Sequence, residues 1–442
     1  VVAASDQARS GGTASVARLR VTVESLRDSA QSWRGTQVAL SDTSALTTAL
    51  QEILLCCDMA MGATQPPARS PKPQTYLLFE MVEEAPSIPQ HQLARSSAEN
   101  ASKLLPDNLL ALYFTALRWL RSQKWTDEEH YCHVLEKPKF ADKQHGLDAR
   151  TLVHSQNISI HRRCLDSSAY ARRIMEECRS VVRFSGTVSP LSLYQRLHGQ
   201  APTEQGVAEQ TSMALRARAP FRSDQVKVLT VTDIDTLYQR RLQSLPQLCG
   251  LIADLQRARQ GRYLVALPSY EYLDHLSRSP DKPANFIAQS PAMDEDEQLA
   301  LLKQFQQSPA AVLGIVMGGV FAESVDLGTS TVAGVVVVSL GLPPTNLIRS
   351  LSVDYFNGAH GVGWGEQIAY LQPAMTRVVQ AAGRLIRGPE DKGVICLVDP
   401  RFADPAIAKF FPEHWQPEKM SANRVESCLK AFWSNDLSQP ED

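Results

Sequence analysis

The second half of this 442-residue sequence predicts a doubly wound α/β domain, with helices on both faces of a parallel sheet. Short apolar runs rich in β-branched residues begin near residue 180, and unbroken runs of this kind are typical of strands buried on both faces. Helical patterns lie between several of these runs, as right-handed crossover connections require. In such sheets the chemistry lies in loops that leave the carboxyl ends of the strands. We therefore expect the functional residues in those loops and at the helix starts that follow them.

The region before residue 150 has a different pattern, because its apolar residues recur at helical spacing. The helical segments are 16–30, 46–57 and one that begins near Pro106. A proline-rich run at 65–73 predicts a loop, and before residue 150 only residues 76–81 have a strand-like composition. We expect this region to be mostly helical.

From residue 180 onward, strands and helices alternate. The predicted strands are 181–184, 226–231, 263–267, 312–317, 335–338 and 394–398. The predicted helices between them are 237–255, 295–306 and 373–387. Unbroken apolar runs that alternate with helical patterns indicate a buried parallel sheet.

Composition excludes several classes of protein. The chain is 43% hydrophobic and 21% charged, which is ordinary for a globular protein and excludes global disorder. Its 45 Lys and Arg residues against 47 Asp and Glu residues exclude a uniformly basic nucleic-acid binder, although a local basic groove remains compatible. Eight cysteines in a chain of this length do not form a disulfide framework, which favours a reducing cytoplasm. We expect neither a targeting leader nor a membrane span, since the longest apolar stretch, at 332–342, is too short.

The most specific motif is QAAGRLIR at residues 380–387, just before the last predicted strand. On a helix, its spacings place four residues on one face: Gln380, Gly383, Arg384 and Arg387. Two guanidinium groups and an amide, beside a glycine that permits close approach, suit a polyanion such as a triphosphate. The same spacing also fits a solvated arginine face.

Two further motifs follow predicted strands. GGVFAESVDLG at 318–328 combines glycines that allow a tight turn with carboxylates at Glu323 and Asp326, which could bind a ribose, a metal-bound water or an arginine. SGTVSP at 185–190 offers hydroxyls and a flexible glycine between a strand and a helix. Taken singly, the first also fits a glycine-rich loop and the second a helix N-cap.

Together, in this order, the motifs resemble those of the XPD/DinG family of superfamily 2 DNA helicases, and the SGTxSP form is closer to the XPD branch. The matching segments are 185–187 for motif III, 219–221 with Thr236, Tyr238 and Arg241 for the start of the second motor domain, 262–270 for motif IV, 321–326 for motif V and 380–387 for motif VI. The resemblance covers roughly residues 165–403. Ser324 departs from it, because the family usually has glycine after the motif V glutamate.

The resemblance implies a nucleotide site. The residues that it places at this site are Gln380, Gly383, Arg384, Arg387, Glu323 and Asp326. Arg384 and Arg387 would be arginine fingers on the γ-phosphate of ATP, a role typically worth about 10³–10⁵ in rate. Glu323 and Asp326 would couple the nucleotide state to the grip on DNA.

Other residues are candidates for DNA contact or coupling. They are Ser185, Gly186, Thr187, Tyr270, Arg216, Arg218 and Arg222. The resemblance implies that Ser185 and Thr187 couple the ATP site to the bound DNA strand. Tyr270 follows motif IV, where a strand contact and a buried aromatic are equally compatible with the sequence. The short basic run fits either contacts to DNA phosphates or a solvated loop.

Two motifs of the family are absent from the 442 residues, namely the phosphate-binding GxxxxGK[ST] loop and a DEAH box. The similar DEEH at 127–130 follows no buried strand and predicts a solvated helix start. In this family both motifs precede a helical insertion, the arch. We therefore expect residues 1–150 to be an arch-like insertion, 151–205 the end of the first motor domain and 206–442 a second RecA-like motor domain.

The resemblance also implies which cofactors the protein uses and which part of it binds them. ATP and Mg²⁺ would be bound mainly by the missing N-terminal portion, and the family's iron–sulfur cluster would lie outside this chain. A cluster of possible zinc ligands comprises Cys132, His133, His145, His154, His161 and Cys164. Its spacing matches no ordinary finger or ribbon, so we predict no metal site.

The function implied is that of the C-terminal portion of an ATP-dependent DNA helicase, inactive alone. The resemblance implies movement from 5′ to 3′ on single-stranded DNA, unwinding of forked duplexes, a role in DNA repair, the missing first motor domain as partner, and a cytoplasmic or, in a bacterium, nucleoid-associated location. The alternative is an ATPase-inactive nucleic-acid-binding or regulatory module. The retained Gln380, Arg384 and Arg387 favour the helicase, since a module without ATP has no need of them.

Overall fold

The computed structural model divides the chain into two units, Val1–Asp166 and Ser167–Asp442. The residues that it describes are 15, 17–26, 37–60, 107–123, 126–127, 129–136, 159–199, 214–215, 217, 222, 224–323, 332–386, 388 and 391–434. The predicted loop at 65–73 and the strand-like segment at 76–81 lie outside the described residues. The domain boundaries at residues 150 and 205 stay a prediction.

The described part of the first unit contains helices and a small antiparallel sheet. The helices are α1 (17–26), α2 (Ser44–Ala60) and α3 (Asp107–Ser122). The strands are β1 (Gln37–Leu40), β2 (Tyr131–Glu136) and β3 (Ser159–Cys164), with β2 in the middle. The predicted helical segments at 46–57 and from Pro106 are confirmed, and the one at 16–30 is confirmed over residues 17–26, the part that the structure describes. The strands were not predicted, because β3 has the sequence SIHRRC and carries no apolar alternation.

The interpretation of residues 127–130 as a helix start is wrong. Residues 129–130 form a turn that leads directly into β2. The carboxylate of Asp127 accepts hydrogen bonds from the backbone nitrogen of His130 at 2.6 Å and from its Nδ1 at 2.8 Å. Asp127 therefore stabilises a turn before a strand.

The second unit is built on a seven-stranded, fully parallel sheet. Its strands are β4 (Val226–Val231), β5 (Tyr263–Leu267), β6 (Phe286–Ala288), β7 (Val312–Val316), β8 (Gly334–Val338), β9 (Gly393–Val398) and β10 (Glu418–Met420). Their order across the sheet is β10-β4-β9-β8-β5-β7-β6. This architecture confirms the predicted fold class, a RecA-like α/β domain.

Helices surround the sheet. They are α4 (Ser168–Glu176), α5 (Leu191–Leu197), α6 (Leu245–Ala258), α7 (Tyr270–Arg278), α8 (Glu295–Gln307), α9 (Val320–Glu323), α10 (Leu347–His360), α11 (Trp364–Glu366), α12 (Gln372–Ala382), α13 (Pro405–Ala408) and α14 (Val425–Ser434). A π-helical turn, Gln367–Leu371, joins α11 to α12. The predicted helix at 237–255 begins only at Leu245, since residues 238–244 form turns.

Both faces of the sheet are covered, because successive side chains of a strand point to opposite faces. Val335 and Val337 pack in one core with residues of α8 and α12. Val336 and Val338 pack in the other core with residues of α6, α7 and α14. This is why the strands are continuous apolar runs and could be recognised in the sequence.

The segment 181–184, predicted as a strand, has no regular secondary structure. Val182 is 84% exposed and Phe184 is 91% exposed. A strand exists only where a neighbour satisfies its backbone groups, and the described residues pair no strand with this segment. The prediction is therefore wrong for the chain as it stands. The strands β6 and β10 exist but were not predicted, because each has only three residues and so shows no recognisable apolar run.

Candidate functional site

The candidate site lies where the parallel strands of the second unit end, which we call the carboxyl edge. Parallel strands end at one edge of a sheet, so the loops after them meet there. Three polar residues directly follow strands at this edge, namely Gln289 after β6, Ser339 after β8 and Asp399 after β9, and Gly318 lies two residues after the end of β7. Tyr270 begins the helix that follows β5.

The glycine loop after β7 makes the tight turn that its sequence predicts. Gly318 has φ +75°, a conformation that other residues rarely adopt. A Cβ atom there would lie 2.8 Å from Nε of Arg377, so a side chain at this position would have to displace the arginine side chain that packs over the loop. The loop continues into α9, which buries Phe321 and Ala322. The backbone of residues 318–322 is thereby held against the domain core.

The acidic residues of the same motif are described only in part. Glu323 is the last residue of α9, and its side chain lies outside the described residues. Asp326 lies outside them as well, as does Ser324. Their roles at the nucleotide stay a prediction.

The QAAGRLIR motif begins on a helix but leaves it. Helix α12 ends at Ala382, and the next backbone bonds run from Arg384 to Ala381 and from Leu385 to Ala382, one residue shorter than α-helical bonds. The single helical face predicted through residue 387 is therefore wrong beyond Ala382. Val378 and Leu385, on either side of this helix end, are both buried in the core.

Arg384 connects two motifs. Its Nε donates a hydrogen bond to the backbone oxygen of Ala322 at 3.0 Å, and its side chain is half-buried. Gln380 lies in the last turn of α12 and is partly buried, whereas Gly383 is exposed. Arg387 lies outside the described residues. The structure thus brings Arg384 to the segment that carries Glu323, although these residues are far apart in sequence.

The SGT segment forms a turn of its own. Oγ of Ser185 accepts a hydrogen bond from the backbone nitrogen of Thr187 and lies 3.2 Å from its Oγ1, and Gly186 between them is exposed. Helix α5 is instead preceded by Pro190 at its N-cap, without a side-chain cap. The N-cap interpretation of this motif is therefore wrong.

A cavity of about 670 Å³ lies next to this turn. Residues 189–191 line one side of it. The segment that follows α13, including Phe411 and Trp415, lines the other side. Oγ of Ser189 donates to the backbone oxygen of Lys409 at 3.5 Å. The chain that follows the SGT turn is thus hydrogen-bonded to the segment after α13, about 220 residues later in the sequence.

A buried acid–base pair at the carboxyl edge was not recognised from the sequence. Asp399 is only 1% exposed, and its two oxygens accept from Nε of Arg401 at 2.9 Å and from Nη2 at 2.7 Å. The hydroxyl of Thr236 donates to the same carboxylate, and Nη2 of Arg401 reaches Oγ of Ser339. The hydrogen bond to Asp399 and its negative charge raise the pKa of the Arg401 guanidinium. The group ties together the loops after β4, β8 and β9, and an aspartate directly after a buried strand is the signal that could have revealed it.

We expect Asp399→Ala to lower the free energy of unfolding by about 3 kcal/mol, because it leaves Arg401 without its buried partner. Urea denaturation at neutral pH, followed by circular dichroism, measures the effect. Asp274→Ala is the matched control, since that carboxylate is half-exposed and pairs with the exposed Arg278. Equal midpoints for the two variants would contradict a structural role for Asp399.

A second arginine lies on the segment after β4 that also carries Thr236. Arg241 is buried, lies 4.4 Å from the ring centre of Tyr238 and 5.0 Å from that of Tyr272, and donates from Nη2 to Glu271 at 2.8 Å. Burial raises the pKa of Tyr272 to about 12. The residues that resemble the start of the second motor domain therefore anchor the loop after β4 to helix α7.

Of the other residues predicted to contact DNA, the structure describes Tyr270 and Arg222. Tyr270 is 37% exposed, which contradicts the buried-aromatic alternative. Arg222 is exposed and pairs with Asp224 at 3.0 Å, and this pairing lowers the pKa of that carboxyl. Arg216 and Arg218, together with the segment 219–221, lie outside the described residues.

No metal-binding group is found in the part of the chain that the structure describes, where no three His, Cys, Asp or Glu side chains come together. Of the candidate zinc ligands, His133 accepts a hydrogen bond from Nε of Arg162 at 3.1 Å, and His145 and His154 lie outside the described residues. Among the described helices, none combines the length and apolar composition that crossing a membrane requires.

Comparison with known proteins adds to this geometry. Residues 252–418 match the helicase C-terminal domain family. The chain is 29% identical over 241 residues to a probable ATP-dependent helicase of Methanocaldococcus jannaschii, and this alignment covers 51% of the chain and 35% of the relative. The matched family segment contains the loops after β5 to β9, and hence most of the candidate site.

Two eukaryotic relatives are similar over longer alignments. The XPD helicase subunit of the general transcription and DNA repair factor IIH of Dictyostelium discoideum is 24% identical over 262 residues, covering 54% of the chain and 32% of the relative. The ATP-dependent DNA helicase CHL1 of Candida albicans is 25% identical over 300 residues, covering 60% of the chain and 34% of the relative. The chain spans about a third of the length of these curated relatives.

Proposed function

We propose that this chain, whose residues 252–418 match the helicase C-terminal domain family, forms the second motor domain of an XPD-like ATP-dependent DNA helicase. In this role it couples ATP hydrolysis to movement along single-stranded DNA and to the unwinding of forked duplexes, from 5′ to 3′ as the resemblance implies. The observation that carries the proposal is the hydrogen bond from Arg384 to Ala322. It joins the segments that resemble motifs VI and V, so a change at the phosphate-facing arginine reaches the loop that carries Glu323 and Asp326.

The chain supplies one side of a nucleotide site. A half-buried guanidinium at a fixed position suits the γ-phosphate of ATP, because it can neutralise charge that develops during phosphoryl transfer. Arg387 acts with Arg384 in the proposal, and Gln380 and Gly383 border the same position. The phosphate-binding loop and the acidic box are absent from the 442 residues. ATP and Mg²⁺ are therefore bound mainly by a first motor domain, which is the main partner of this chain.

The exposed segment 181–184 supports a place for residues 151–205 at the end of that first motor domain. Val182 and Phe184 are large apolar residues that remain in solvent in this structure. A strand with this composition gains stability when a neighbouring sheet pairs with its backbone and covers its side chains. The turn of Ser185 to Thr187 follows this segment directly. In the proposal it lies between the two motor domains, where its hydroxyls couple the nucleotide site to the DNA strand.

We expect the 442-residue chain to bind single-stranded DNA on its own, since a second motor domain contributes part of the strand-binding surface. Fluorescence anisotropy with a labelled oligothymidine of about 20 nucleotides measures it, and affinity is expected to fall steeply as salt rises. A duplex of the same length is the control and is expected to bind more weakly. Absence of binding at about 50 mM salt would contradict a strand-contacting role for this chain.

A further inference from the structure

Helix α5, which begins shortly after the SGT turn, is attached to the helices that lead to the QAAGRLIR motif. Leu193 on its inner side is 1% exposed and lies in the same hydrophobic core as Met375 of α12. On the exposed side, the guanidinium carbon of Arg196 lies 4.9 Å from the ring centre of Trp364 in α11. A short helix that follows the SGT turn is thus fixed to both α11 and α12.

The hydroxyl of Tyr194 joins α5 to the first turn of α12. It accepts a hydrogen bond from Nε2 of Gln372 at 2.8 Å and lies 3.1 Å from Oγ1 of Thr376. Oγ1 of Thr376 donates its own proton to the backbone oxygen of Gln372 at 2.9 Å. The hydroxyl of Tyr194 therefore donates to Thr376, so that it acts as donor and as acceptor at once. A phenylalanine would fill the same space but could make neither bond.

This contact lies where the direction of α12 is set. The π-helical turn, Gln367–Leu371, ends immediately before Gln372. Turns of this type are frequent at functional sites, and helices bend at them. The π-helical turn is thus the point at which α12 can change its direction relative to α11. Tyr194 holds the helix at that point.

Helix α12 connects this contact to Arg384. It has 11 residues, six of them buried in the core, and Arg384 follows its last residue, Ala382, by two positions. A helix of this length measures about 16 Å, so a tilt of about 4° at its start moves its far end by about 1 Å. A displacement of about 1 Å in a catalytic group can cost about 10²-fold in rate. The position of the guanidinium therefore depends on how the start of α12 is held.

We propose that Tyr194 is a positioning residue for Arg384 and that it acts through α12. The tyrosine contacts neither nucleotide nor DNA in this role, and its hydroxyl fixes the direction of the helix that carries the arginine. Because α5 follows the SGT turn, the same contact ties the position of Arg384 to the chain that joins the two motor domains. The inference rests on the proposed function, since it requires that Arg384 acts on ATP in a two-domain motor.

The test is the effect of Tyr194→Phe on ATP hydrolysis by the protein that contains both motor domains. We expect kcat to fall by about threefold to tenfold, which is the effect of one or two hydrogen bonds on an equilibrium between two helix positions. The KM for ATP is expected to stay unchanged, because the lost contact supports the transition state only. Thr376→Val removes the partner hydroxyl and is expected to give the same loss, with no further loss in the double variant.

A matched control and a second cycle separate positioning from folding. Tyr170→Phe is the control, because Tyr170 is a partly buried tyrosine of α4 whose hydroxyl has no hydrogen-bond partner among the described residues. It is expected to leave kcat unchanged. In an Arg384→Ala background, measured under single-turnover conditions, Tyr194→Phe is expected to cause no further loss. An equal loss in the wild-type and Arg384→Ala backgrounds would refute a role that acts through the arginine.

The outcomes also separate this inference from the proposed function. If the two-domain protein hydrolyses no ATP, or if Arg384→Ala hydrolyses it at the wild-type rate, both fail. If Arg384→Ala is inactive while Tyr194→Phe and Thr376→Val behave as Tyr170→Phe does, only the positioning role is wrong.

Discussion

Replacing Arg384 by alanine is expected to lower ATP hydrolysis by about 10³–10⁵-fold in the protein that contains both motor domains, while single-strand binding largely survives. Phosphoryl transfer spreads negative charge over the γ-phosphate oxygens, and a positioned guanidinium stabilises that charge without having to reorganise. The position of Arg384 is set by its hydrogen bond to Ala322 and by the buried Leu385 beside it. Single-turnover and steady-state hydrolysis, measured with saturating oligothymidine, give the size of the effect. Arg387→Ala is expected to behave in the same way.

Two controls separate a chemical role for Arg384 from a structural one. Arg384→Lys keeps the charge but loses the planar donors, so partial activity is expected. Arg278→Ala removes an exposed arginine remote from the motif and is expected to leave hydrolysis unchanged. Losing the bond to Ala322 costs only about 1 kcal/mol, so folding is expected to persist. Hydrolysis near the wild-type rate in Arg384→Ala would show that the arginine-finger assignment is wrong.

The parallel domain could be predicted because its strands are buried on both faces. Val335 to Val338 pack alternately into two cores, which leaves no room for polar residues and marks the strand clearly in the sequence. The three strands of the first unit lack such a continuous apolar run, and β3 in particular is largely polar. Residues 181–184 show the limit of the same rule, because a β-branched run forms a strand only when a neighbouring strand is present to pair with it.

The candidate site could be located from motifs, but its geometry depends on contacts between segments far apart in the chain. The spacing of Gln380 and Arg384 indicates one helical face, whereas the helix ends at Ala382 and Arg384 turns towards Ala322. Gly383, the C-cap residue that directly follows Ala382, is the local signal for this helix end, but the arginine spacing through residue 387 also fits a continuous helix. The role of Tyr194 was hidden, because a tyrosine in a seven-residue helix carries no local signal and acquires meaning only through its contacts with α12.

The 442-residue chain alone is expected to show no DNA-stimulated ATP hydrolysis above the buffer rate. Hydrolysis needs a backbone cradle and a lysine for the phosphates, together with carboxylates that hold Mg²⁺ and orient water. The sequence has no GxxxxGK[ST] loop and no DEAH box, and Arg384 can stabilise a transition state only where a nucleotide is already bound. A phosphate-release assay with and without oligothymidine measures the rate, and strand binding by the same preparation verifies that the chain is folded.

The result of that assay also bears on the alternative function. Robust turnover by the chain alone would refute its assignment as half of a two-domain motor. A silent chain is compatible with both a motor half and an ATPase-inactive module, and these differ once a first motor domain is present. The motor half then recovers hydrolysis that depends on Arg384, whereas the inactive module binds the strand and remains silent. Because Arg384 joins two motifs that a strand-binding module does not need to connect, we expect the dependence on Arg384.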